Sequence, residues 1–234
     1  MGGEDVQPTL EILDAEAHRH LRLRPGLASR PHFVQLVPED FASAAAVCPI
    51  FFVKNPEDGR FFAGALFGFK PGENLLADAR QGTLPYVPLE LRREGFFIAG
   101  ENIAIDPASP RFGTGEGERL FDDDGEPAPA LRQLQRLLGR FKAGVDESDR
   151  LVAALAGRSL IEPVDISLRF DDGETFDLRG LYTVGLDRLN ALDDASVLEL
   201  FRSGYLQLAY CVAQSLKQVP VLAERRNRML ASGA

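Results

Sequence analysis

The segment "VDISLRFDDGETFDLRGLYTV", residues 164–184, predicts a β-hairpin. Apolar residues alternate with polar ones up to Phe170 and again from Phe176, which is the period of a strand with one buried face. Asp172-Gly173 lies between the two runs and is a turn sequence. The segment therefore predicts two antiparallel strands joined by a short loop.

A second hairpin is predicted in the N-terminal half of the chain. Its strands are the apolar, aromatic runs "PIFFVKN" at residues 49–55 and "RFFAGALFGF" at residues 60–69. They flank a loop that ends at Gly59, and glycine can adopt the positive φ that such a turn needs. Two hairpins in one chain favour antiparallel pairing.

Helices are predicted between and after the hairpins. Leucines recur at helical spacing over residues 130–144, and a second helix is expected from about Glu147 to Gly157. Short helices are expected at residues 39–46 and 88–93, and the chain after the second hairpin is helical. The order of elements predicts an α+β fold: a mainly antiparallel sheet built from hairpins, with helices between and a helical C-terminus.

The domain organisation follows from composition along the chain. Residues 1–16 are expected to form a flexible N-terminal arm, and residues 17–230 a single α+β domain. A weak internal boundary is expected near residues 107–127, where Pro, Gly and acidic residues cluster.

Charge and composition exclude several classes of function. The 234 residues carry a formal net charge of −9, so the surface repels nucleic acid and anionic lipid. No stretch reaches the roughly 18 apolar residues of a membrane-spanning helix, and the acidic N-terminal segment does not resemble a secretory signal. Cys48 and Cys211 lie far apart in apolar surroundings, so no disulfide framework is expected. We therefore expect a cytoplasmic protein without membrane insertion.

The acidic segment "GEGERLFDDDGEP", residues 115–127, is tested against known ion-binding loops. If Gly125 takes the sixth position of an EF-hand loop, Leu120 and Leu131 occupy the first and twelfth positions, where ligands are required. The segment also lacks the Lys and Ser/Thr of a phosphate-binding loop. It is therefore interpreted as a turn before a helix, with a divalent-ion site at Asp122–Asp124 as the alternative.

A basic segment near the N-terminus, "HRHLRLRP", alternates as a strand would. The alternation places His18, His20, Arg22 and Arg24 on one face. His18 and His20 are candidate metal ligands, but the two arginines would repel a cation. A contact with an anion or a carboxylate is the more favoured function of this face.

Catalytic and cofactor motifs do not emerge from the remaining sequence. There is no G-x-S-x-G nucleophile motif and no G-x-G-x-x-G before a helix, so neither a catalytic residue nor a cofactor is assigned. Both cysteines are interpreted as small core residues. Exposed phenylalanines are expected to form a groove for an apolar side chain or a peptide. The candidate contact residues are Arg22, Arg24, Tyr86, Arg92, Arg93 and Tyr182.

An ordered set of motifs resembles the SapC family over about residues 16–228. In chain order the motifs are "FVQLVPEDFASAAAVCPIFFVKNPEDGRFFAGALFGFKPGENL", "YVPLELRREGFF", "IDPASPR", "GEGERLFDDDGEP", "LIEP", "DGETFDLRGLYTV" and "RSGYLQLAYCVAQSLKQVPVLAERRN". The family is named after a gene associated with export of a bacterial surface-layer protein. Its members lack an established catalytic mechanism. Genes for similar proteins neighbour TonB-dependent receptors, flavin-dependent tryptophan halogenases and cupin-like oxygenases, and the resemblance implies one of these as a partner.

Two main hypotheses follow for the function. The first is a soluble, non-enzymatic accessory protein that recognises a peptide or a partner protein, linked to envelope transport or to TonB-dependent uptake and modification systems. The alternative is a metal-assisted enzyme, oxygenase-like or hydrolase-like, in which His18, His20 and Asp122–Asp124 come together. A structural subunit of an envelope-export complex is a third possibility.

Overall fold

The structure is a computed structural model that describes residues 9–26, 29–77 and 84–232. All described strand pairs are antiparallel, and the chain ends in helices, so the α+β prediction is confirmed. Within the expected N-terminal arm, residues 1–8 lie outside the described residues.

Eleven strands and eight α-helices are described. The strands are β1 (Glu11–Ile12), β2 (Arg22–Leu23), β3 (Phe33–Gln35), β4 (Ile50–Lys54), β5 (Phe61–Leu66), β6 (Phe96–Ala99), β7 (Asn102–Ile105), β8 (Phe112–Gly113), β9 (Glu118–Arg119), β10 (Ile161–Arg169) and β11 (Thr175–Val184). The helices are α1 (Ala15–His18), α2 (Phe41–Ala45), α3 (Leu89–Arg92), α4 (Pro129–Ala156), α5 (Leu186–Asn190), α6 (Asp194–Arg202), α7 (Tyr205–Ser215) and α8 (Gln218–Ala231).

The chain divides into two compact units. Of the described residues, those up to residue 29 and residues 89–142 form the first unit, and those from residue 30 to 88 and from residue 143 onward form the second. The expected single domain over residues 17–230, with its weak boundary, stays a prediction.

The first unit contains two small sheets and the N-terminal half of α4. The sheets have the strand orders β1-β7-β6 and β8-β2-β9. Its core is one buried apolar cluster, to which Leu131, Leu134 and Leu138 of α4 contribute. The strands and loops supply the other members: Leu21, Phe96, Ile105, Phe112, Leu120 and Phe121. The helix therefore buries an apolar stripe, as its leucine spacing predicts.

The second unit is built on a five-stranded sheet with the order β10-β11-β4-β5-β3. Both predicted hairpins are part of it, and Gly59 has the expected positive φ of 70°. Helix α7 packs on β4, β11 and α2. A buried hydroxyl reinforces this packing, because the backbone N–H of Ile50 donates to Ser215 Oγ at 2.8 Å.

The prediction of two helices over residues 130–157 is wrong, because α4 runs without a break through this segment. Gly144 is a packing position here and not a helix end. A Cβ atom on Gly144 would lie 2.7 Å from Cβ of Val37, so only glycine fits at that point of the helix. Ser148 Oγ donates to the Gly144 carbonyl at 2.9 Å, a bond that helical backbone geometry allows.

The long strand predicted for the basic segment is also wrong, since only Arg22 and Leu23 form β2. His18 instead ends α1, whose first turn is capped by Asp14. Oδ1 of Asp14 accepts from the backbone N–H groups of Glu16 and Ala17 at 2.8 and 3.1 Å. A local cap of this kind competes successfully with a short strand pattern.

Among residues 9–26, 29–77 and 84–232, each helix is either too short or too polar to cross a lipid bilayer.

Candidate functional site

An open groove of about 550 Å³ lies in the first unit. One wall is a face of α4, and the other is formed by the turn between β6 and β7, with Leu13 beside it. We call this concavity the apolar groove. It is lined by Leu13, Ile98, Gly100, Glu101, Asn102, Ile103, Phe121, Pro127, Leu131, Gln135, Leu138, Gly139 and Lys142.

The α4 wall of the apolar groove runs along the helix. Leu131, Gln135, Leu138 and Lys142 recur at spacings of three or four residues, which places them on one helical face. At roughly 1.5 Å per residue this face is about 16 Å long. An extended peptide rises about 3.3 Å per residue, so the wall matches about five residues of extended chain.

A glycine within this wall leaves a gap between the flanking side chains, because glycine has no side chain. Gly139 is exposed, and a Cβ atom built on it would have no heavy atom of the described residues within 4 Å other than those of its chain neighbours and of the adjacent helix backbone. Glycine in the middle of a helix costs roughly 0.5–1 kcal/mol relative to alanine, and no packing neighbour accounts for that cost here. The missing side chain exposes the helix backbone to whatever occupies the groove.

The floor of the groove is buried, whereas its rim is exposed and apolar. Leu131 and Leu138 are only 2% and 4% exposed, because they belong to the core. Ile98 on β6, an edge strand of its sheet, is 39% exposed. An exposed apolar residue on a strand edge is a feature that proteins usually avoid unless the edge is contacted.

The groove carries almost no net charge, although the chain as a whole is strongly acidic. Among the described residues that line it, the ionisable ones are Glu101 on the β-turn wall and Lys142 on α4. Asn102 and Gln135 add neutral hydrogen-bonding groups. This lining accommodates a mainly apolar segment with a few polar contacts.

A second cavity of about 390 Å³ shares one lining residue, Phe121, with the apolar groove. We call it the basic pocket. It is lined by Glu16, Arg19, His20, Arg22, Arg119, Phe121, Asp122 and Asp123. The pocket brings His20 to Asp122 and Asp123 of the acidic turn, whereas His18 and Asp124, which the alternative hypothesis also required, do not line it.

The acidic turn itself has a structural role. Oδ1 of Asp122 accepts from the backbone N–H groups of Asp124 and Glu126 at 3.1 and 2.9 Å. A β-bridge between Phe121 and Pro127 closes the loop, and Asp123 pairs with Arg119 at 2.7 Å. These bonds agree with the interpretation of the segment as a turn before α4.

The two candidate metal ligands are not brought to one face. His18 is buried, with Nε2 at 3.2 Å from Glu11 Oε2 and Nδ1 at 3.1 Å from the Asp14 carbonyl. His20 is exposed on the rim of the basic pocket. Within the described parts of the chain, no three His, Cys, Asp or Glu residues are grouped so as to hold a metal ion.

The other candidate arginines of the first unit have separate environments. Arg24 is exposed, and its Nη1 donates to the Pro110 carbonyl at 3.4 Å. Arg92 is exposed on α3. Arg93 is half-buried: it makes a two-point ion pair with Glu90 at 2.5 and 2.7 Å and stacks on the ring of Phe141 at 4.7 Å. None of these three arginines lines the apolar groove or the basic pocket.

The two candidate tyrosines belong to the second unit. The hydroxyl of Tyr86 donates to the buried carboxylate of Asp40. The ring of Tyr182 packs edge-to-face on Phe61, with a centroid distance of 4.8 Å, and Lys54 Nζ lies 5.4 Å from the Tyr182 ring. These contacts support the fold of the second unit.

On the hairpin at residues 50–69, Phe51, Phe52 and Phe67 are buried in the core, whereas Phe61 and Phe62 are partly exposed. The expected aromatic groove stays a prediction. The cysteines are also buried or partly buried. Burial raises the pKa of the Cys48 thiol to about 12 and raises that of Cys211 above its ordinary value. Both thiols are therefore protonated at neutral pH, and neither has the character of an activated nucleophile.

Sequence reasoning missed the apolar groove. Two features of the sequence could have indicated the groove. One is a glycine on the exposed side of an amphipathic helix, at residue 139, and the other is the turn at residues 98–103, which has an isoleucine at each end. Neither signal specifies a groove until the fold places the two segments side by side.

A protein-family model described as SapC matches residues 13–222 of the chain. No curated protein and no solved structure matches the chain significantly.

Proposed function

This chain belongs to the SapC family, and we propose that it is an accessory protein that binds a peptide segment of a partner protein. The segment lies in the apolar groove. The observation that carries the proposal is the open, low wall of α4 at Gly139, which faces an exposed apolar strand edge. A helix and a strand edge are both surfaces that proteins use to hold peptides.

The shape of the groove supports a peptide more than a small molecule. Sites for small molecules are usually concave pockets that bury most of the ligand. The apolar groove is instead open along a helix face of about 16 Å, with a buried floor at Leu131 and Leu138. An extended chain can lie along it and place alternate side chains on the floor.

The chemistry of the groove supports a mainly apolar segment. Burial of apolar surface contributes roughly 25 cal/mol per Å², so a few apolar side chains on this floor provide a useful affinity. Glu101 and Lys142 stand on opposite walls and favour a segment that is polar at its edges. Because the two charges cancel, a peptide of either net charge can enter.

The resemblance to the SapC family suggests the class of partner protein. The gene neighbours of similar proteins are TonB-dependent receptors, flavin-dependent halogenases and cupin-like oxygenases. The proposed ligand is an extended segment of one such protein, which links the chain to envelope uptake or modification.

Selection of short random peptides on the full-length protein tests the proposal. Selected peptides are labelled and titrated with three proteins: wild type, Gly139→Leu and Gln133→Leu. The side chain that Gly139→Leu adds starts in open space, because its Cβ atom would contact only the adjacent helix backbone among the described residues, and it projects into the groove. We expect it to weaken binding at least about tenfold, because the groove is then partly filled.

Gln133→Leu is the matched control, since Gln133 is exposed on α4 but does not line the groove. It adds the same side chain to the same helix and should change affinity less than about threefold. Circular dichroism confirms that both variants fold. If selection yields no binder, or if Gly139→Leu binds the selected peptides as tightly as wild type, the proposal is wrong.

A further inference from the structure

Two arginines in the basic pocket face each other across a strand pair. Arg22 on β2 is the direct antiparallel partner of Arg119 on β9. Residues directly opposite each other project to the same face of a sheet, and like charges in that arrangement are destabilising. The positive charge of Arg119 is partly neutralised by an ion pair with Asp123 at 2.7 Å. The positive charge of Arg22 lies beside this pair.

The guanidinium of Arg22 is held in place by the backbone. Its Nη1 atom donates to the carbonyls of Arg19 and Leu21 at 2.9 and 3.0 Å. Within the described residues, Nε and Nη2 of Arg22 donate no hydrogen bond. Arg19 lines the same pocket, and its guanidinium likewise makes no recorded hydrogen bond to a described residue. Two arginines therefore present N–H donors to one cavity, and one of them is fixed before any ligand arrives.

We infer that the basic pocket binds a carboxylate group of the peptide that occupies the apolar groove. The inference rests on the proposed function of the groove. Phe121 lines both cavities, so the pocket lies within about one side chain of the groove. The planar fork of an arginine matches the two oxygens of a carboxylate, and such charge-assisted bonds are short and directional.

The acidic members of the pocket limit the charge that it accepts. Glu16, Asp122 and Asp123 balance Arg19, Arg22 and Arg119, so the lining is close to neutral when His20 is uncharged. A ligand with a single negative charge meets less repulsion here than a doubly charged phosphate. The chain as a whole has a formal net charge of −9, so this nearly neutral lining repels a carboxylate less than the average surface does.

The first experiment uses small probes and does not depend on the groove. N-acetyl-leucine is titrated into isotope-labelled full-length protein, and N-acetyl-leucinamide, which lacks the charge, is the control. We expect saturable shifts of the side-chain Nε–H signals of Arg19 and Arg22 with the acid only. Equal effects of acid and amide, or shifts that are confined to other arginines, overturn the inference.

The second experiment uses apolar peptides in matched pairs and separates the two sources of a carboxylate. One pair differs only in a free or amidated C-terminus, and the other only in Asp or Asn at an internal position. We expect one pair to show at least about a tenfold loss of affinity when the carboxylate is removed. The pair that responds identifies the source of the group.

Variants locate the effect. Arg19→Gln should abolish the preference for the carboxylate, because it removes one of the two guanidinium groups that offer donors in the pocket. The variant should fold normally, because Arg19 makes no hydrogen bond to another described residue. Arg22→Lys keeps the charge but loses the fork, and should reduce the preference by part of that factor. Arg136→Gln on the exposed side of α4 is the charge-matched control and should leave the preference unchanged.

The outcomes distinguish this inference from the proposed function. If Gly139→Leu weakens binding while carboxylate and amide peptides bind equally, the groove is a peptide site and the carboxylate inference is wrong. If carboxylates bind the pocket but Gly139→Leu has no effect on peptides, the proposed function is wrong, and the link between the two cavities is lost with it.

Discussion

Gly139 and Gly144 stand on neighbouring turns of α4, yet their surroundings differ. Gly139, in the half of α4 that belongs to the first unit, faces open space. Gly144, in the half that belongs to the second unit, lies against the buried side chain of Val37. The same residue type therefore serves close packing in one half and leaves an open wall in the other. In the proposed function, the open wall is the surface that holds the partner's segment.

A fully buried position of α4 should be more sensitive to loss of side-chain volume than a position that lines the groove. Leu155 is fully buried there, whereas Gln135 lines the open groove. We expect Leu155→Ala to lower the free energy of unfolding by about 2–5 kcal/mol through lost burial and the cavity left behind. Gln135→Ala, the control, should change it by less than about 0.5 kcal/mol. Denaturation by urea measures both, and similar losses for the two variants would remove the distinction.

The two glycines should respond to alanine with opposite signs. Gly144→Ala places a Cβ atom 2.7 Å from Cβ of Val37, and overpacking of this kind typically costs about 1–3 kcal/mol. Gly139→Ala has room, and it should stabilise the protein by about 0.5–1 kcal/mol because alanine favours helix. Thermal unfolding of the two variants measures whether their stabilities change in opposite directions. A destabilised Gly139→Ala protein would mean that the wall of the groove is already filled.

A hydrogen bond in the packed half should add a small pH dependence. The Tyr205 hydroxyl donates to Glu147 Oε1 at 2.6 Å, and this bond, with a smaller contribution from Arg150, holds the pKa of Glu147 below its ordinary value. A depressed pKa in the folded state stabilises the protein above the ordinary pKa of glutamate. That contribution is lost as the pH falls through the folded value.

Tyr205→Phe should therefore destabilise the protein at neutral pH, and the difference from wild type should shrink in acid. We expect less than about 1 kcal/mol, because Glu147 is partly exposed and solvent screens the interaction. Tyr210→Phe on the same helix, where the ring is exposed, is the control. Unfolding curves from neutral to acidic pH measure the effect, and a constant difference across that range would contradict the assignment.

Much of the local structure could be predicted from the sequence. The hairpin at residues 164–184 and the one that turns at Gly59 both form, because alternation and turn residues are local signals. The apolar stripe of α4 could also be predicted, from the spacing of its leucines. The end predicted near Gly144 was wrong, since a glycine that packs against Val37 cannot be distinguished in sequence from one that ends a helix.

The candidate site was less predictable. Arg22 and His20 were identified as members of a basic face, but the strand that should present them is only two residues long. Arg119, which completes the basic pocket, attracts no attention in the sequence. It becomes the partner of Arg22 only through the pairing of β2 with β9, two strands that lie far apart in the chain.

The sequence alone determined the α+β class, the two hairpins and the helical C-terminus, because each rests on a periodicity that neighbouring residues carry. The tertiary structure decided which glycine is packed and which is open, which arginines face each other, and that His18 points towards Glu11 and Asp14. These properties depend on contacts between distant segments. The amino-acid pattern within any one segment contains no information on what the fold will place beside it.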